Sequence, residues 1–241
     1  MRKFPQWLFG AVVLAVSTGH LAAQTVGPPI ADNQWYIGAQ GGVLLFETPT
    51  QTRGAMPMVG GHVMVNLRRV AFLMQVQEGF GSNETSSFFD PTAANSTRNV
   101  IFNDIRMYNG MVLVLPWKSA IQPYFGGGFA LIHVVHPRPQ AVVGTPAAQQ
   151  FTQEVTNRIG SYGAGSLVLG LQLRVSRVAA FAQAQIWTSQ SVEVVKDDQN
   201  LVAGQGRLLQ GPIHTLTAGL RIGLGSARED TKKIDPLLQR R

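Results

Sequence analysis

The side chains of this 241-residue sequence most able to do chemistry are His62, His133, His136 and His214, set among many serines and threonines. A histidine beside a hydroxyl is the minimum for nucleophilic catalysis, because the imidazole must take the hydroxyl proton. The surrounding motifs do not supply the rest. The mature chain has no Gly-x-Ser-x-Gly elbow and no His-Glu-x-x-His metal motif. His133 and His136 are three apart, a spacing that in a strand sends them to opposite faces and spoils a shared metal site. The absence of cysteine excludes a thiol nucleophile, a zinc-thiolate site and a disulfide scaffold. Gly126, Gly127 and Gly128, and Gly204 and Gly206 around Gln205, lack the Lys-Ser/Thr ending of a phosphate loop. Asn83-Glu84-Thr85 and Asn95-Ser96-Thr97 fit a glycosylation triplet but read as polar loop. The net charge of +7 comes from scattered basic residues without interleaved aromatics, so no nucleic-acid surface is implied. No catalytic, metal or cofactor site is expected; His214 with a nearby hydroxyl is the one option left for lipid-modifying chemistry.

The elements that would carry these residues are strands. Arg2 and Lys3, an apolar run, and small residues up to Ala23 describe a signal peptide over 1–23. A linker follows over 24–34. No later segment reaches the roughly 18 consecutive apolar residues of a membrane helix, so a membrane location would have to be by strands. From 35 to 225 the chain reads as eight strands, near 35–46, 53–66, 70–81, 101–115, 123–136, 158–175, 178–189 and 213–224. Their connections alternate between short turns and the long polar loops 82–100, 137–157 and 190–212, with one short exception at 47–52. Residues 226–241 form a charged tail.

Alternate side chains of a strand point to opposite faces. In the last strand Leu216, Ala218, Leu220, Ile222 and Leu224 oppose Thr215, Thr217, Gly219 and Arg221. In the sixth, Leu167, Leu169, Leu171 and Leu173 oppose Gln172 and Arg174. In the fourth, Ile105, Met107, Met111 and Leu113 oppose Asp104, Arg106 and Tyr108. The expected fold class is all-β, an eight-stranded antiparallel up-and-down barrel. If its apolar face meets lipid, the interior holds a polar network that includes Asp104, Arg106, Tyr108, Gln172, Arg174 and Arg221, filled by side chains at this strand number. Trp35, Tyr36, Trp117, Tyr124 and Trp187 fall near strand ends, where an aromatic girdle would sit.

Two local patterns sharpen a family likeness. Pro123-Tyr124-Phe125-Gly126-Gly127-Gly128 is similar to the Pro-Tyr-x-Gly-Gly-Gly start of a middle strand, and Thr217, Gly219, Ile222 and Leu224 are similar to a terminal-strand assembly signal. With them the chain resembles the small outer-membrane β-barrel family of Gram-negative bacteria, of OmpA, OmpX and opacity-protein type. The resemblance implies a transmembrane barrel in the cell outer membrane, contacts with outer-membrane lipid and the barrel assembly machinery, and a periplasmic position for the tail. It departs from the family in having Ile222 and Leu224 where aromatics are usual. Sixteen tail residues are too few for a peptidoglycan-binding domain.

The functional expectation is a structural or surface-interaction role through the three long loops, with an extracellular ligand reached through them. The alternatives are a narrow pore for small solutes and a soluble barrel that turns its apolar face inward around a ligand.

Overall fold

The computed structural model describes residues 34–117, 119–175, 177–188 and 192–226. The leader, nearly all of the linker and nearly all of the tail lie outside them. Eight long strands form the wall: β1 (Gln34–Thr48), β2 (Gln51–Leu67), β3 (Val70–Phe89), β4 (Thr97–Val114), β5 (Ile121–Val135), β7 (Ser161–Val175), β8 (Val178–Thr188) and β11 (Gln210–Ser226). Each pairs antiparallel with the next, and β11 pairs with β1, so the sheet closes without a free edge. Closure lets the backbones of the wall strands bond within the sheet, the condition for a β structure in hydrocarbon.

Smaller elements crowd one end: β6 (Arg138–Pro139), helix α1 (Pro146–Ile159), and the hairpin of β9 (Glu193–Lys196) and β10 (Val202–Gly206). This is the loop end; the opposite rim, closed by tight connections such as Arg68-Arg69, is the turn end. Two expectations are corrected here. The segments 137–157 and 190–212 are not plain loops, and β7 begins at Ser161 because α1 occupies the stretch before it. The helix starts where Thr145, extended at φ −68° and ψ 159°, accepts a hydrogen bond from the Ala148 amide, with Pro146 in the first turn. Proline is tolerated there because that N–H has no helical partner anyway.

On the outer face the sequence alternation gives a belt of exposed apolar side chains, including Val63, Met74, Val112, Phe125, Leu169 and Leu220. Along β5 it runs from Ile121 to Leu131, with Phe129 82% exposed. Those ten steps are roughly 33 Å of strand, or about 25 Å of height at a tilt near 40°. Above the belt a polar row crosses four strands in register, from Glu78 through Arg106 and His133 to Ser161.

The interior is split. Toward the turn end a polar network shares it with a smaller apolar cluster that includes Met64, Leu73, Met111, Leu113 and Leu115. Toward the loop end Leu44, Phe46, Met56, Met58, Phe102 and Met107 form an apolar core, roofed by Val155 and Ile159 of α1, Val195 of β9 and Leu208. The expected polar network is therefore only part of the filling, and the loop-end half is packed like the interior of a soluble protein.

Candidate functional site

The polar network of the turn-end half is built around Arg221, which β11 points inward and which is 0% exposed. Its Nε donates to His62 Nε2 at 3.1 Å, Nη1 to Gln172 Oε1 at 2.9 Å, and Nη2 to the Tyr124 hydroxyl at 3.2 Å. The guanidinium also lies 4.0 Å from the Phe181 ring centre. Tyr124 reaches it because β7 presents Gly170 opposite: a Cβ there would fall 2.2 Å from the ring's Cζ. Arg174 donates to Gln34 and sits over the Tyr36 ring at 5.5 Å. Above these, uncharged amides span the lumen. Gln185 Nε2 donates to Gln75 Oε1 at 2.6 Å, Asn109 Nδ2 to Gln77 Oε1 at 3.1 Å, and Trp187 Nε1 to Asn109 Oδ1 at 2.7 Å. The network therefore holds two guanidiniums and no carboxylate, a set that can fill and fix a barrel but offers no acid–base pair.

Gln172, Arg174 and Arg221 thus come together inside. Asp104, Arg106 and Tyr108 do not: β4 turns them outward, with Tyr108 42% exposed and Arg106 donating to Glu78 Oε1 at 2.9 Å. The cause is Asn109. Its side chain must face in to meet Gln77 and Trp187, and the period of two then turns Ile105, Met107, Met111 and Leu113 inward as well. Of the five residues expected in an aromatic girdle, Trp35 and Trp117 are exposed, whereas Tyr36, Tyr124 and Trp187 are buried. In the assembly-signal segment, Thr217 and Gly219 face in, and Ile222 and Leu224 face out.

The histidines separate. His62 is buried in the network, and no hydroxyl bonds His214 among the described residues. Sequence reasoning missed a pairing across β5 and β7, where His133 Nδ1 lies 2.6 Å from Ser161 Oγ. The serine hydroxyl also reaches the Asn157 carbonyl at 3.2 Å, and which partner takes its proton is set by the imidazole tautomer. Among the described residues no three His, Asp or Glu side chains gather in a way that could hold a metal ion.

The loop-end surface is held by one buried ion pair. Arg98 Nε donates to Asp90 Oδ2 at 2.7 Å, and its Nη1 reaches the Ala141 carbonyl at 2.8 Å, tying the β3–β4 turn to the segment that leads into α1. Burial alone would raise the Asp90 pKa, but hydrogen bonds from Thr92 and Arg98 outweigh it and hold the carboxyl below its ordinary value. The surface so fixed exposes apolar groups: Val143 at 92%, Phe151, and a row in which Val194 and Phe89 flank Gln205.

A closed eight-stranded antiparallel wall, apolar outside and filled inside, defines a β-barrel of the outer-membrane type. Solved structures similar to it include Neisserial surface protein A, at 10% identity and a TM-score of 0.46 over 78% of this chain and 96% of that one. OprG of Pseudomonas aeruginosa gives 9% identity and 0.42, over 81% and 99%. A major outer membrane protein of Thermus thermophilus gives 10% and 0.41, over 80% and 99%. No protein-family model and no curated protein matches the sequence.

Proposed function

We propose that the chain is an integral outer-membrane barrel with a structural or surface-interaction role, exercised through its loop-end cap and not through a pore. The observation that carries this reading is the exposed apolar belt, whose height of about 25 Å fits the lipid-facing band of such barrels. In water so large an apolar surface would drive aggregation; in hydrocarbon it is the required exterior. The cap, with its ordered loops and exposed Val143, Phe151, Val194 and Phe89, is the surface offered outward, and the turn end then faces the periplasm. The strand carrying Thr217, Gly219, Ile222 and Leu224 is the segment through which the assembly machinery would act. The filled lumen argues against conduction, since Arg221, the amide layer and the apolar core occupy it in succession.

The test is gel mobility, with and without boiling, of protein from fractionated membranes. A heat-dependent shift confined to the outer-membrane fraction is expected; an unshifted protein in the soluble fraction would overturn the proposal. Planar-bilayer recordings should be silent, and stepwise conductance would instead favour the pore.

A further inference from the structure

Charge is segregated along the barrel axis. Residues 34 to 226 hold nine acids, and the one nearest the turn end, Glu78, lies eight residues along β3 from Val70. That is roughly 26 Å of strand. Among the described residues the turn end itself carries only cations. Arg68 and Arg69 form the β2–β3 turn, and Arg177 lies in the β7–β8 turn, half-way around the ring of eight strands. Their side chains are exposed and make no ion pair or hydrogen bond among the described residues. Their backbones are fixed from the neighbouring strands: the Arg69 carbonyl accepts from Leu115 N at 2.8 Å, and the Arg177 carbonyl from Gly223 N at 2.6 Å. Directly beneath each turn the outer face is apolar, Leu67 and Val70 on one side, Val175 and Val178 on the other.

We infer that these two turns are binding sites for anionic phospholipid, whose acyl chains lie on the apolar wall while its phosphate meets Arg68 and Arg69, or Arg177. The inference rests on the membrane reading above. A zwitterionic lipid also brings a phosphate, but its ammonium finds no carboxylate among the described residues of this rim, so a headgroup with net negative charge is selected. Residues 227 to 241 hold five basic side chains against three acidic ones, so they bring no net negative charge.

The test incorporates the full chain into equimolar phosphatidylethanolamine and phosphatidylglycerol vesicles, extracts it in mild detergent, and measures the co-purifying lipids by mass spectrometry. Phosphatidylglycerol should be enriched about fivefold for each engaged arginine. The Arg68→Gln, Arg69→Gln, Arg177→Gln triple variant should retain both lipids equally while keeping its heat-dependent mobility shift, which shows that it is folded. Equal retention by the wild type, or undiminished enrichment in the variant, would overturn the inference. So would loss of enrichment on truncation after Ser226, which would place the binding in the tail. Failure to float with the vesicles would sink the membrane reading itself, whereas flotation without enrichment would sink only the lipid site.

Discussion

Removing the Tyr124 hydroxyl should weaken the barrel by an amount that depends on whether Arg221 is present. Tyr124→Phe removes two bonds, one donated to Gln183 Oε1 at 2.9 Å and one accepted from Arg221 at 3.2 Å. A neutral hydrogen bond contributes about 1 kcal/mol and one to a charged group about 2, so the single change should lose about 3 kcal/mol. In an Arg221→Met background only the Gln183 bond remains to be lost, and the cost should fall to about 1 kcal/mol. Arg221→Met alone should change stability little: it orphans His62 Nε2 and Gln172 Oε1 but ends the burial of an ion with no carboxylate beside it. The assay is urea unfolding of the folded barrel in micelles, followed by tryptophan fluorescence, for the four members of the cycle. A coupling near 2 kcal/mol is expected. Additivity within about 0.5 kcal/mol would refute the idea that the hydroxyl acts by solvating the guanidinium.

Leu169→Arg, at the middle of the belt, should destabilise the barrel in a bilayer by about 2–4 kcal/mol; on a water-exposed surface the same change would stay within about 0.5 kcal/mol, and unfolding in liposomes tells these apart. Gly170→Val should destabilise by about 1–3 kcal/mol by forcing the Tyr124 ring aside, and adding Tyr124→Ala should relieve the clash; a second change that made matters worse would exclude that cause. Asp90 has a folded pKa below its unfolded value of about 3.9, so its contribution is present above that value and lost as pH falls through the depressed one. Proteolysis within 90–97 should therefore be slow at pH 7 and faster near pH 3, and Asp90→Asn should cut readily at pH 7; equal rates at both pH values would disprove the role of the ion pair.

The strands most legible in the sequence were those with unbroken alternation. β7 and β11 carry leucines on one face and amides, hydroxyls or glycines on the other, so period and polarity agree, and Gln172, Arg174 and Arg221 face the interior. β4 was misread because both of its faces include apolar residues, Met107 and Leu113 on one and Val112 and Val114 on the other. Only the partners of Asn109, Gln77 and Trp187, break the tie, and they lie on other strands. α1 escaped because it buries just Thr152, Val155, Thr156 and Ile159, two of them polar, which makes a faint stripe. Thr145-Pro146, a capping residue followed by a first-turn proline, was the signal that could have found it.

The divided interior bears on what holds the molecule together. Two oily surfaces gain little by meeting inside a bilayer, because lipid tails are as apolar as the side chains they replace. The cluster under α1 is shielded from lipid, and when the chain unfolds into water it should hydrate as the interior of a soluble protein does, with a rise in heat capacity. This end of the barrel thus keeps a cohesive force that owes nothing to the surrounding lipid. Calorimetry in micelles of different chain length should find its melting largely indifferent to the detergent, while the turn-end half loosens as the hydrophobic thickness departs from the belt.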